Sequence, residues 1–333
     1  MATEVTKVID PNMGSGYDYD SLYDWEAAQQ GDLTARNEIA VAKCRCTGGT
    51  ADTTPFNIDG YSGDTTHYIK IWTDPAEGYR HNGTFPTTGN YYRMDFTAPA
   101  SDSTALDADS LTTKFIGIAF RTSQNSTYEA SIFTFIAWSN NLKEFDSCVF
   151  CNSGGTSGVG SAAWWSGGNT GTIVNIINCT IYGWGSSGAW GIYDASTGGA
   201  TCKVNVYNCT IVGCHGGIHT AGSATVACKN VGVSGATTTF DGTLTQTTCS
   251  TSTPTFVDAS AKNYHLASND TTWIGNGTNL YNDATYPFQT DIDGQDRGGA
   301  AASWDIGADE YVSAVTDLSI FASECVGSEG MFN

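Results

Sequence analysis

Positive charge is what this sequence has least of. Lys and Arg number 14 among 333 residues against 34 Asp and Glu, a formal charge of −20, and beyond Lys143 only Lys203, Lys229, Lys262 and Arg297 carry it. Phosphate binding needs a Lys/Arg footprint, so no nucleic-acid partner is expected. The acidity is expected to keep a large particle soluble and self-repelling. Long apolar runs are also missing: none approaches the ~20 residues that cross a bilayer, and no membrane partner is expected. Met1 to Lys7 lacks the basic-then-apolar pattern of a secretory signal. Folding in the cytoplasm is the expectation from this, or else a chain from which a leader has been removed. Charged residues of both signs make up only 14%, too few for a disordered chain.

What is abundant is glycine, 39 residues, with Ser and Thr in clusters, the composition of a β-rich protein with many turns. Two stretches organise the rest: Ile177-Asn178-Cys179-Thr180-Ile181-Tyr182-Gly183 and Tyr207-Asn208-Cys209-Thr210-Ile211-Val212-Gly213. An alternating apolar run enters each. A glycine-led segment follows each, Gly191-Ile192-Tyr193-Asp194 and Gly217-Ile218-His219-Thr220. Such a period marks a solenoid, because one unit cannot bury its own apolar face and must stack on the next. Cys148 to Cys179 is 31 residues, Cys179 to Cys209 is 30 and Cys209 to Val231 is 22. Strands of fixed length with an unequal period imply variable loops, here at 154–171, 183–188 and 195–199.

Eleven cysteines is an odd number, and Cys148, Cys179 and Cys209 share one phase of the repeat. Stacked, reduced, buried thiols are expected. Cys44 and Cys46 alternate along a strand onto one face, without further Cys or His at metal-ligand spacing. Asn178, Asn208 and Asn230 recur just before the Cys or Val position. They are expected at one inward corner, their amides bonding along the stack. Two of them match the glycosylation sequon, and an inward asparagine accepts no sugar.

Residues 1–20 read as a polar arm. Residues 21–30 read as a helix capped by Ser21 with Asp24 as reciprocal partner, with Leu22 and Trp25 on one face. This helix is expected to cover the open apolar end of the first coil. Runs at 38–46, 67–72, 91–96, 114–121 and 131–138 read as strands, and the clear repeat begins with the phase at 146–150. The domains expected are 1–37 (arm and capping helix), 38–250 (coils), 251–311 (a closing segment of changed pattern) and 312–333 (a tail).

With these residues in place, the chain resembles the right-handed parallel β-helix superfamily, the Asn-Cys-Thr-Ile units standing where that family has its asparagine-ladder coils. The closing segment resembles one shared by many bacterial and viral proteins of this class, of the choice-of-anchor type. Its marks are Pro254, Phe256, Tyr264 and Leu266, then Asp291-x-Asp293-Gly294-x-x-Arg297, then Asp305-Ile306-Gly307-Ala308-x-Glu310-Tyr311. Residues 19–28 (Tyr-Asp-Ser-Leu-x-x-Trp-Glu-Ala-Ala) with Arg80-His81-Asn82-Gly83 are similar to β-helix proteins of phage and marine viral sequence, and the resemblance covers most of residues 17–311. The resemblance implies an all-β, single-stranded right-handed parallel β-helix (solenoid) with a short N-terminal capping helix, in a bacteriophage setting.

Fold does not fix activity. Members of this architecture include polysaccharide lyases, glycosidases, adhesins and tailspikes. A glycosidase needs two carboxylates ~5–9.5 Å apart, and Asp146, Asp194 and Asp241 occupy different positions of the coil. The balance leans away from an enzyme. Aligning the two glycine-led segments, with Ala163-Trp164 before them, puts Trp164, Tyr193 and His219 in one outward column. That column is either a glycan-binding strip or a subunit interface. Asp291, Asp293 and Asp296 resemble a fragment of a Ca²⁺ loop without the distal glutamate. The other reading is a tight turn with Arg297 paired to Asp305 or Glu310; no other cofactor is expected.

Together these readings lead to the expectation of a virion structural protein: a tailspike, fibre or capsid-decorating subunit. It is expected to form a homo-oligomer such as a trimer, to attach to other virion proteins through 1–20 and 312–333, and to contact surface polysaccharide. The alternatives are a secreted polysaccharide lyase or glycoside hydrolase, or a non-catalytic surface adhesin, located outside the cell or on its surface.

Overall fold

The computed structural model describes residues 1–96, 103–108, 111–123, 130–135, 141–153, 161–165, 171–196 and 202–313, with backbone alone for 103–108, 130–131, 133–135 and 161–165. Most of the insertion loops, and the tail beyond residue 313, lie outside the described residues.

Among these residues the regular structure is almost wholly strand, and no helix is long and apolar enough to cross a membrane. Three parallel sheets carry the architecture, of nine, six and seven strands. From residue 113 onward the chain visits them in strict turn. Thr113–Ile116 lies in the first sheet, Ala119–Thr122 in the second and Ala130–Phe135 in the third; Leu142–Asp146 then returns to the first. The same circuit repeats through Ile173–Ile177, Thr180–Tyr182 and Trp190–Asp194, and again through Lys203–Tyr207, Thr210–Val212 and Gly216–Thr220. Residues one circuit apart sit side by side, Val174 beside Val204 and Ile181 beside Ile211. Inward side chains therefore stack like on like. Phe115 lies on Phe145 at 5.2 Å and Phe120 on Phe150 at 5.3 Å, with edge-to-face contacts of 5.9 and 5.7 Å between the two stacks. Each fully buried ring contributes about 1.5–3 kcal/mol. The run expected as one strand at 114–121 is two, because Gly117 (φ 68°) turns the corner between the first and second sheets. Phe56–Ile58 and Ser103–Ala108, not anticipated, belong to the third sheet.

Residues 1–20 are not a free arm. Thr3–Ile9 is the outermost strand of the first sheet, paired in parallel with Glu38–Cys44 along its full length. Its polar residues had masked an alternation that ends in buried Ile9. The helix Leu22–Gln29 begins where expected: the Ser21 hydroxyl accepts the Asp24 N–H at 3.1 Å, and Leu22 and Trp25 are fully buried in the main core.

The closing segment, residues 251–311, contains one antiparallel pair, Phe256–Asp258 with Asn263–Leu266. Otherwise it lies as turns along the outside of the first two sheets. Leu280 and Trp304 cover Ile177 and Tyr207; Tyr264, Ile292 and Ala308 cover Val149, Cys151 and Tyr182. Hydrogen bonds hold its turns. Burial alone would raise the Asp270 carboxyl, but the N–H groups of Thr255, Trp273 and Ile274 and the Thr272 hydroxyl keep it below the ordinary carboxylate value. Asp283 is likewise depressed, burial being outweighed by Lys229 and the N–H groups of Tyr286 and Thr285. A depressed folded value gives stability that is present above the unfolded pKa of about 3.9 and lost as pH falls below it. Acidification from pH 5 to 2 is therefore expected to release the turns that Asp270 and Asp283 hold, Trp273 among them, before the sheets open. Asp291, Asp305, Asp309 and Glu310, raised by burial, instead favour the folded segment at low pH. Trp fluorescence would change at higher pH than far-UV circular dichroism. Coincident transitions would contradict this order.

Candidate functional site

Strand register assembles the outward column on the third sheet. Trp164 pairs with Tyr193, Tyr193 with His219, and His219 with Asp241. The side chain of Trp164 lies outside those described. Tyr193 and His219 are half-buried, with ring centroids 4.9 Å apart. Sequence reasoning missed a third ring. Trp190 stacks on His219 at 4.6 Å and 24°, crossing over Gly216, its register partner. A Cβ at Gly216 would lie 2.1 Å from the indole, so only glycine leaves room for the ring there. That Gly216 precedes the Gly217-Ile218-His219 segment was the available signal. Asp241 Oδ2 lies 2.8 Å from His219 Nδ1, close enough for an ion pair but without the geometry of a regular hydrogen bond. The result is a partly exposed strip of three rings in contact, Trp190 stacked and Tyr193 tilted against His219, with a carboxylate at its edge. The apolar C–H face of a sugar can lie on such rings while its hydroxyls meet the polar rim.

At the corner between the first and second sheets, Asn178, Asn208 and Asn230 have φ of 51°, 48° and 53°. Asparagine tolerates this left-handed conformation better than other non-glycine residues. Gly117, Ser147 and Thr248 fill the same place in their circuits and share it. A bend of this kind turns successive side chains to opposite sides. Cys148, Cys179 and Cys209 point into the core as free thiols, fully buried, their Sγ atoms against backbone carbonyls of the first sheet. The asparagines point away from that core, contrary to the inward corner expected. They are buried because the closing segment covers them: Asn178 Nδ2 donates to the Thr290 carbonyl (2.8 Å), Asn208 to that of Asp305 (3.5 Å) and Asn230 to that of Thr278 (2.7 Å). Among the three, only Asn230 to Asn208 bonds along the stack, at 3.0 Å. Buried in this way, neither sequon asparagine is open to a glycan in the folded protein.

The Asp291–Arg297 turn separates the three carboxylates expected to act together. Asp291 is fully buried and accepts the N–H groups of Asp293, Gln295 and Glu310 at 2.8–3.1 Å. Asp296 accepts the Gly298 N–H. Asp293 turns instead to His265 Nε2, at 2.9 Å. Arg297, 1% exposed, pairs with Glu310 (2.9 Å) rather than Asp305. It also donates to the Ala308 and Gly307 carbonyls and to Asn178 Oδ1. Burial pushes the Glu310 carboxyl up to about 7, against the pull of Arg297. This network fastens the closing segment to the asparagine corner.

A groove of about 270 Å³ runs over the second sheet between Phe85, Arg121, Tyr182, Lys262 and Tyr264. Arg121 is committed to Asp95 and lies over the Phe85 ring at 4.6 Å. No carboxylate lines the groove among the described residues, so it does not present the acid pair of a glycosidase. Against known proteins, no family model matches this chain, and no curated protein matches it.

Proposed function

We propose that the chain is a right-handed parallel β-helix, one strand per sheet per turn, serving as a structural subunit of a bacteriophage particle whose aromatic strip contacts surface polysaccharide. The strip of Trp190, His219 and Tyr193 carries the reading: three rings are held in register on a rigid sheet, half-open to solvent, with Asp241 beside them. Consecutive parallel strands, unpaired buried thiols and an acidic surface support the architecture and its setting. Oligomerisation with a second and third copy follows from the same reading.

Binding to a panel of bacterial surface polysaccharides tests it. Tyr193→Ala, His219→Ala and Gly216→Ala, the last by displacing the indole, should each weaken binding by up to about tenfold, the worth of one ring contact. Wild-type protein that binds no member of the panel, or variants that bind as well as wild type, would remove the glycan assignment. Loss of the oligomer in the same variants would assign the strip to a subunit interface. Release of reducing sugar would favour an enzyme.

A further inference from the structure

We propose that His265, Asp293 and Asp309 form a binding site for a divalent transition-metal cation of the zinc class. One donor atom from each lies within 4.8 Å of the others, although the residues come from three separate stretches of the closing segment. His265 is oriented as a ligand is: its Nδ1 meets Asn263 Oδ1, which also takes the His265 backbone N–H. With a proton held on Nδ1, the usual arrangement around ligating histidines, a metal binds Nε2 in place of the proton that Nε2 shares with Asp293 Oδ2, which is released to solvent. Asp309 Oδ2 is fixed by the Leu266 N–H at 2.7 Å, and Asp293 Oδ2 stands 2.9 Å from His265 Nε2.

Two atoms beside this group distinguish it from a plain ion pair. Asp293 Oδ1 is buried with no hydrogen-bond partner, which is unfavourable for an acceptor taken out of water. His81, 3% exposed, is the second. Its Nδ1 accepts the Gly83 N–H at 3.1 Å, so the ring proton sits on Nε2, where that N–H has no well-aligned acceptor and only the Ser147 backbone stands near enough to act on the ring. Asp293 and His265 are both near enough to act on the His81 ring electrostatically. Gly83 (φ 77°) closes the space: a Cβ there would lie 2.6 Å from His265 Nε2 and 2.7 Å from Asp293 Oδ1. A cation bound between His265 Nε2 and Asp293 Oδ2 can take up the idle Oδ1 as a second oxygen, and a water on its open position can accept the His81 N–H.

One imidazole and two carboxylates suit zinc and its neighbours, whereas Ca²⁺ takes six to eight oxygens. Tetrahedral bonds of about 2.0–2.2 Å separate ligand atoms by roughly 3.3 Å, so the His265–Asp293 contact needs to open by a few tenths of an ångström. The site differs from the Asp291, Asp293 and Asp296 loop suggested by sequence, of which it keeps Asp293 alone.

The test is calorimetric titration of the chelator-treated full chain with ZnCl₂, with CaCl₂ in parallel, and melting curves with and without the metal. The expected result is one Zn²⁺ per chain, a raised melting midpoint and much weaker Ca²⁺ binding. Asp293→Asn and Asp309→Asn should lower Zn²⁺ affinity by more than the roughly 10–100-fold typical of losing a second-sphere partner, and His81→Phe by about tenfold. Circular dichroism of the metal-free variants shows whether each is folded, and Asp309→Asn keeps an oxygen for Leu266. Absence of Zn²⁺ binding to the wild-type chain, or binding unchanged in both folded Asp variants, would overturn the assignment.

Discussion

Arg297→Met should destabilise the protein by about 3–5 kcal/mol, because it leaves Glu310 buried without its counter-charge and the Ala308 and Gly307 carbonyls without their donor. The loss should depend on pH. Burial holds Glu310 at about 7 in the intact protein, above its ordinary 4.5, and Arg297 opposes that rise. Without Arg297 the folded value climbs further. A raised folded pKa gives stability that is fully present below the unfolded value and lost as pH rises through the folded one. The deficit is therefore expected to be smaller at pH 4.5 than at pH 8. Arg297→Met combined with Glu310→Gln should recover part of it at pH 8. Urea denaturation at the two pH values measures both effects, and an equal deficit at each would show that Glu310 does not respond to its partner.

Trp273→Ala is expected to cost about 3–5 kcal/mol, the range for truncating a buried aromatic. The indole is fully buried, packs on Phe256 at 5.8 Å and donates from Nε1 to Ser250 Oγ and the Ser252 carbonyl. It also lies flat against Gly232, where a Cβ would come within 2.2 Å of the ring. Gly232→Ala should consequently cost about 1–3 kcal/mol by overpacking. The two changes cannot add, since the methyl group clashes only with a ring that the other variant removes. The double variant is expected to be about as stable as Trp273→Ala alone, and a coupling energy near zero in the double-mutant cycle would show the contact to be loose. Limited proteolysis should cut the single variants first within 251–311, ahead of the sheets.

How far the sequence could be read follows from the kind of interaction involved. Cys148, Cys179 and Cys209, like Tyr193 and His219, were legible because stacking repeats a chemical type at a near-constant interval. The strand Thr3–Ile9 was not, since an edge strand carries polar residues on the face it leaves open. Asn178, Asn208 and Asn230 were found by spacing, but their direction was misjudged. The left-handed bend that suits asparagine also sends its side chain out, and burial came from residues about 50 to 110 positions later. That cover is itself fastened there: Arg297 ties the closing segment to the asparagine corner, and Asp293 of the same turn joins His265.

By itself the sequence determined what recurs: strands that stack in register, thiols that remain unpaired, a capped helix at residue 21, and an acidic chain. Only the tertiary structure decided what occurs once. His81, His265, Asp293 and Asp309 follow no period, nor does the seat of Arg297. These residues meet because the closing segment folds back along sheets formed far earlier in the chain, and a contact between distant, non-repeating residues leaves no pattern for a single sequence to show.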